Sequence, residues 1–393
     1  MTTTPNSPPA AGLQIAVVPD SFKGSARASE VAEAISAGFL AGAASMDREI
    51  SVTAVPFADG GEGTLEALID AWGTDAMPVQ TTDALGRPVQ SRLGLSADGK
   101  VAVVEAAEAA GLPQVADVPR QPLTATTYGL GALVSKALDL GAEQIILCLG
   151  GSATTDGGTG LLSALGAKFL DAGGNQLQPG GGPLNDLHSI DASGLDPRAA
   201  GVVWQIACDV TNPLLGENGA AEIFGPQKGA SLKDIATLDA GLGRLADVLE
   251  AATGRVLREQ EGMGAAGGLA FSLGSYFQVD LVPGWELVAR VLDAHRIMGG
   301  ADLVITGEGR LDFQSLQGKV VSGVLQAAGG DVIVIAGSVS LEDQILAEAG
   351  ILAAYSIAPG PASLAELSAD TLALLERTAF SVARTYLHGQ TAE

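Results

Sequence analysis

Five short segments of this chain gather acids, hydroxyls and cations among glycines. Residues 145–158 read IILCLGGSATTDGG. An apolar, strand-length run breaks into Gly150, Gly151, Ser152, Thr154, Thr155 and Asp156, then Gly157 and Gly158, and helix-like LLSALGAKFL follows. Strand, Gly/Ser/Thr turn and helix is how open α/β proteins build an anion site. Glycines admit a phosphate to the backbone, hydroxyls donate to it, and the helix N-terminus offers N–H groups. The alternative is a tight turn that needs glycine for its backbone angles. Asp20-Ser21-Phe22-Lys23 sets a lysine just after a strand end, suited to a carboxylate or phosphate, or else a solvent lysine beside an Asp/Ser cap. Gly307-Glu308-Gly309-Arg310-Leu311-Asp312 puts a forked cation between two acids. Arg310 could grip an anion and the acids could hold Mg²⁺, or the three could satisfy one another as a turn ion pair. Asp209, with Thr211 and Asn212, fits metal binding, base work or an Asx-turn before Pro213. Asp59 and Glu62, among Gly60, Gly61 and Gly63, read as ligands or as caps of a helix starting near Thr64.

This inventory of carboxylates, hydroxyls, glycine backbone, Lys and Arg fits phosphoryl transfer, which needs positioning and charge neutralisation more than covalent chemistry. The three histidines (His188, His295, His388) form no Cys/His cluster, against a zinc site or a Ser-His-Asp triad. Cys148 and Cys208 lie in apolar runs and read as reduced core residues. No G-x-x-x-x-G-K-[ST] occurs: Gly318-Lys319 runs into Val320. Gly262, Gly264 and Gly267 match G-x-G-x-x-G but follow the polar run REQE, and Gly241-x-Gly243-x-x-Ala246 sits inside a helical pattern. Neither has the strand context of a dinucleotide site.

The elements that must hold these segments alternate. LQIAVV (13–18), ISVTAV (50–55), IILCL (145–149), WQIAC (204–208), DLVIT (302–306) and VIVIA (332–336) read as buried strands, each running into a polar turn. Helical periodicity covers 28–40, with Ser29 as expected N-cap, and 231–258, 319–328 and 341–349. Alternating strands and helices imply parallel sheets, whose ligands bind outside the carboxyl ends of the strands, so these turns are expected to face one cleft. Residues 77–118 break the pattern as an antiparallel hairpin, and 171–198 and 211–230 read as loops.

At 393 residues two domains are expected, with a middle domain inserted into a sheet domain. The expected spans are 13–72 with 290–393, and 73–289. Residues 1–12, MTTTPNSPPAAG, are polar and Pro-rich and read as a disordered tail, not a signal peptide. A net charge of −24 argues against nucleic acid or an anionic membrane as partner. No apolar stretch reaches the ~18 residues of a span. A cytoplasmic protein is expected, monomer or homodimer.

The segments PDSFKGS, ADGGEGT, GGSATTDGG, ACDVTNPLLG, FGPQKGA, GAAGGLAF and TGEGRLDFQSLQGK, in this order, resemble the signatures of the bacterial glycerate kinase family. The resemblance runs from about Ile15 to the last helix. Ser315 stands where Thr is expected, and Gly24 where a larger polar residue is common. The resemblance implies a Rossmann-like domain, a second α/β domain and an active site in the cleft between them. It implies ATP and Mg²⁺, with D-glycerate phosphorylated to 2-phosphoglycerate; 3-phosphoglycerate is the alternative product. A hydroxy-acid dehydrogenase and a non-catalytic phosphometabolite-binding module are the rivals from other classes. Individual roles rest on residue chemistry. Asp209 is the first candidate base and Asp156 the second. Lys23 and Arg310 neutralise substrate charge, with Asp20, Ser21 and Asp59 at the substrate. Gly150, Gly151, Ser152 and Thr154 cradle the nucleotide phosphates, and Asp312 and Glu308 are the metal candidates. Lys228 and Lys319 are reserve cations.

Overall fold

The structure, a computed structural model, describes residues 12–390; the tail expectation for 1–12 lies outside them except at Gly12. Eleven strands build two main sheets: β1 Leu13–Val17, β2 Ile50–Ala54, β3 Met77–Thr82, β4 Pro88–Leu95, β5 Val101–Glu105, β6 Gln144–Cys148, β7 Val203–Ala207, β8 Val279–Val282, β9 Leu303–Thr306, β10 Asp331–Ala336 and β11 Ala353–Ser356. All six strands expected from the apolar runs are present. The chain forms two compact units. One runs to Phe57 and resumes at Ala289; the other covers Ala58–Val288. The sequence expectation had put the crossings near 73 and 289.

The first unit carries a five-stranded parallel sheet, ordered β11-β10-β9-β1-β2. Its inner strands are apolar on both faces, as a sheet covered on both sides requires. Ile333 and Ile335 of β10 join Ile15, Val17, Leu303 and Ile305 in one core, with Ile35 and Phe39. Val334 and Ala336 turn to the other face, packing with Val321 and Leu346. The helix Ala28–Ala44 starts level with the periodic span 28–40, two residues before a cap at Ser29 would place it. Its cap is Arg27 and not Ser29, because the Glu30 carboxylate accepts the Arg27 N–H at 2.9 Å. Gly38, a weak helix former, sits where the last helix, Thr371–Gly389, crosses: a Cβ there would lie 2.1 Å from Glu376 O.

The second unit carries a six-stranded sheet, β8-β7-β6-β5-β4-β3. β8, β7, β6 and β5 are parallel, and β4 and β3 complete it antiparallel, as the hairpin reading of 77–118 anticipated. In register, Glu105, Cys148, Ala207 and Val282 stand level at the carboxyl ends of the parallel strands. Two local expectations need correction. LLSALGAKFL is not one helix: the helix Thr159–Ala164 stops at Gly166 (φ 108°), and Lys168–Leu170 pairs with Ser189–Asp191 as a short antiparallel ribbon. Residues 211–230 are not all loop, since they hold the helix Ala220–Phe224 and the turn Pro226–Lys228.

Candidate active site

In the first unit the strand order reverses between β1 and β9. β1 leads outward to β2 on one side, and β9, β10 and β11 follow on the other. Ligands of open parallel sheets bind outside the carboxyl ends at such a switch point. The turns that leave these two strands are Asp20–Lys23 and Gly307–Asp312. They are joined directly: Asp20 N donates to Gly307 O at 2.8 Å, and Thr306 Oγ1 donates to Val18 O at 2.8 Å. Gly309 lies against Phe22 and Lys23. Phe22 is buried and its N–H donates to Ala26 O, closing a turn that leaves Lys23 exposed. Arg310 is also exposed, with Nε 3.5 Å from Asp312 Oδ2. Asp312 caps the turn Phe313–Leu316, accepting Gln314 N–H at 2.9 Å, while Ser315 Oγ accepts the Asp312 N–H. The fold therefore brings together Asp20, Ser21, Lys23, Glu308, Arg310 and Asp312.

In the second unit the loop Asp59–Gly63 lies across the carboxyl ends of the parallel strands. Its fit depends on missing side chains. Gly60 has φ 84°, and a Cβ on it would stand 2.5 Å from Gly284 Cα and 2.7 Å from Ala207 Cβ. Asp59 Oδ1 accepts Gly61 N–H at 3.1 Å and so shapes the loop itself. Neither Asp59 nor Glu62 caps the following helix, Thr64–Trp72: its N-cap is Gly63, and its Leu65 N–H donates at 2.7 Å to Glu105, at the end of β5. Asp209, exposed at the end of β7, is oriented by Gly284 N–H, which donates to Oδ1 at 2.8 Å. Glu105 escaped the sequence reading. It is 2% exposed, and burial pushes its carboxyl up to about 8. The signal was a lone acid closing the apolar run VAVVE, taken there as a hairpin arm.

The GGSATTDGG turn leaves β6 and divides into an open and a sealed half. Gly150 is half-buried and Gly151 exposed, whereas Ser152 through Gly160 are buried. The free helix N-terminus expected there is filled from within. Asp156 is fully buried and its carboxylate accepts four hydrogen bonds: Thr127 N (2.8 Å), Thr127 Oγ1 (2.9 Å), Gly158 N (3.1 Å) and Gly160 N (3.2 Å). Burial raises its pKa and those four donors oppose the rise. This carboxylate takes the place that an anion would hold at a helix start. Thr154, expected at the phosphates, is fully buried as well. Beneath the turn lies Lys228, which sequence reasoning held in reserve; its Nζ donates to Ser152 Oγ (3.3 Å) and to Thr154 O.

Comparison with known proteins gives this arrangement its context. The model of the glycerate kinase family matches residues 15–387. The chain belongs to the glycerate kinase family. It is 45% identical over 374 residues to a glycerate kinase of Bacillus subtilis strain 168, covering 94% of this chain and 97% of that protein. It is 46% identical over 352 residues to the glycerate 2-kinase of Escherichia coli K12, covering 88% and 90%. A crystal structure of a Salmonella typhimurium LT2 protein, provisionally assigned as glycerate kinase 2, superposes with a TM-score of 0.87 at 41% identity, covering 97% of this chain and all of that one. A kinase of this family takes ATP as a substrate. Among the described residues no group of three or more His, Cys, Asp or Glu could hold a metal ion. Among the described residues no helix is long and apolar enough to cross a membrane.

Proposed function

We propose that this family member is a glycerate 2-kinase, transferring the γ-phosphoryl group of ATP to the 2-hydroxyl of D-glycerate. The hydroxyl oxygen forms a bond to the γ-phosphorus, the bond from that phosphorus to the bridging oxygen breaks, and ADP leaves. The hydroxyl proton passes to a carboxylate, for which Asp209 is our choice. Its orientation is fixed by Gly284 N–H while the side chain stays exposed. Asp156, the other candidate, has its oxygens committed to four donors and is read as a structural acid. Lys23 and Arg310 neutralise the glycerate carboxylate and the transferring phosphoryl, with Asp20, Ser21 and Asp59 at the substrate. Gly150 and Gly151, the open half of their turn, meet the nucleotide phosphates, with the buried Ser152 hydroxyl directly beneath them. Asp312 and Glu308 would hold Mg²⁺ through its waters, and the ion would neutralise charge on the β- and γ-phosphates. Within the cytoplasm, D-glycerate and ATP are the partners this chemistry requires.

The observation that most supports this reading is the Asp20 N to Gly307 O bond, which sets the Lys23 and Arg310 turns side by side at the switch point. The test is ATP-dependent phosphorylation of D-glycerate with Mg²⁺, the product identified by NMR. No turnover would overturn the assignment, and a 3-phospho product would overturn the regiochemistry alone. Asp209→Asn and Arg310→Ala should each lose at least ~100-fold in kcat/KM. Wild-type rates would remove them from the site.

A further inference from the structure

Buried charges in proteins are nearly always paired, because an isolated ion loses its hydration without return. Lys228 departs from that rule. It is 2% exposed, and among the described residues no carboxylate lies within ion-pair distance of its Nζ. Asp156 is the charged group that faces it, acting at longer range, and the oxygens of Asp156 are already bonded to Thr127, Gly158 and Gly160. Burial lowers the ammonium's pKa to about 8, against the pull of Asp156. What Lys228 does touch is the GGSAT turn: the Ser152 hydroxyl and the Thr154 carbonyl.

The turn is held from its other side by backbone. Leu112 N donates to Gly151 O at 2.9 Å and Ala153 N to Ala110 O at 2.7 Å, so the main chain on both sides of Ser152 is pinned. The Ser152 side chain is then directed by Lys228. A serine hydroxyl has one proton to donate and lone pairs to accept with. With the ammonium donating to Oγ, the serine proton must be given elsewhere, and among the described residues no protein acceptor takes it. The adjoining surface is the exposed Gly151 and half-buried Gly150, where an outside acceptor can approach. A cation behind a hydroxyl also strengthens it as a donor.

We propose that Lys228 is a positioning residue that acts through Ser152, holding the Ser152 hydroxyl as an outward donor to an anionic phosphate oxygen of the nucleoside triphosphate. This rests on reading the turn as the nucleotide contact and adds the group that prepares it. Lys228 does not touch the ligand itself, so its charge is felt without being exposed on an acidic protein.

The experiment is equilibrium titration of the full-length protein with ATP and Mg²⁺, alongside glycerate turnover. Lys228→Met keeps most of the stem and removes the charge. It and Ser152→Ala should each weaken ATP binding by at least ~10-fold, the scale of one charge-assisted hydrogen bond. The double variant should bind no more weakly than the worse single one. Wild-type affinity should fall as pH rises through about 8, where Lys228 loses its proton, and Ser152→Ala should lack that fall. A lysine that only supports the fold predicts a changed Tm with ATP affinity intact and additive effects, and that result overturns the proposal. Should Lys228→Met fail to fold, the pH titrations of wild type and Ser152→Ala decide alone. Wild type that binds ATP but leaves glycerate unchanged refutes the acceptor reading and leaves this test standing. Wild type that turns over glycerate while both variants bind ATP normally refutes this inference and leaves the kinase reading intact.

Discussion

Glu105→Gln should change the pH dependence of stability while leaving the hydrogen bond from Leu65 N–H in place. Glutamine has the same shape and keeps an acceptor oxygen, so the perturbation is the loss of one ionisation. The Glu105 carboxyl stands at 4.5 when unperturbed and is pushed up to about 8 in the fold. Desolvation is the largest cause. The neighbouring acids Glu66 and Glu108 add to it, while the Leu65 N–H and Arg92 oppose it. The folded state therefore holds this proton more tightly than the unfolded chain. Its contribution to stability is complete below pH 4.5 and is lost as pH rises through 8. At ~1.4 kcal/mol per pH unit the loss comes to roughly 4 to 5 kcal/mol across that window. The variant has no such loss, so it should match wild type near pH 4.5 and exceed it by pH 9. For a unit of this size that excess corresponds to roughly 8 to 20 °C in Tm. The assay is thermal unfolding of both proteins at constant ionic strength from pH 4.5 to 9, reading the difference in Tm. Lys228 also titrates near 8, but it is present in both proteins and cancels in the difference. A difference that stays flat, or that turns against the variant at high pH, would refute the claim that a buried protonated carboxyl closes β5.

Two further substitutions probe the loops around the strand ends. Asp156→Asn puts an amide against at least one of four N–H or O–H donors, so it should cost about 2–4 kcal/mol, read by denaturant unfolding; wild-type stability with lost activity would instead return Asp156 to the chemistry. Gly60→Ala places a Cβ 2.5 Å from Gly284 Cα at a φ of 84°, so it should destabilise by about 1–3 kcal/mol and lower kcat/KM by shifting the Asp59 loop; unchanged kinetics would show that the loop is not part of the site.

Much of the architecture was legible because strands buried on both faces announce themselves. Leu303–Thr306 and Ile145–Cys148 are unbroken apolar runs, and each ends in a turn whose glycines and acids cannot continue a sheet. The antiparallel arm was equally plain as the break in that pattern over residues 77–118. What the sequence hid was direction. GGSATTDGG reads as a string of donors, but nothing in its order says that Asp156 folds back to serve its own helix start, or that Thr154 turns inward. The helix was over-read for the same reason: Phe169 and Leu170 look like a continuing apolar stripe until Gly166, with its positive φ, turns the chain into a ribbon. Long-range partners were illegible altogether. Glu105 meets Leu65 across 40 residues and Lys228 meets Ser152 across 76, and no local periodicity encodes such pairs.

The buried charges themselves argue for where the chemistry sits. Among the described residues four ionisable side chains of the acidic and basic types are buried: Asp83, Glu105, Asp156 and Lys228. Asp83 is compensated by Arg87, 2.6 Å away in its hairpin turn, and Asp156 by its four donors. Glu105 and Lys228 are compensated less: one has the single donor Leu65 N–H and is pushed toward its neutral form, and the other is held as a charge with only a hydroxyl and a carbonyl beside it. A packed core elsewhere in the same unit excludes such groups, so their cost has to be met by something other than stability. Both sit at the carboxyl ends of the parallel strands or under the turn that leaves one of them. That is where an α/β sheet places its ligands, and where a protein of net charge −24 must concentrate positive potential if it is to accept phosphates at all.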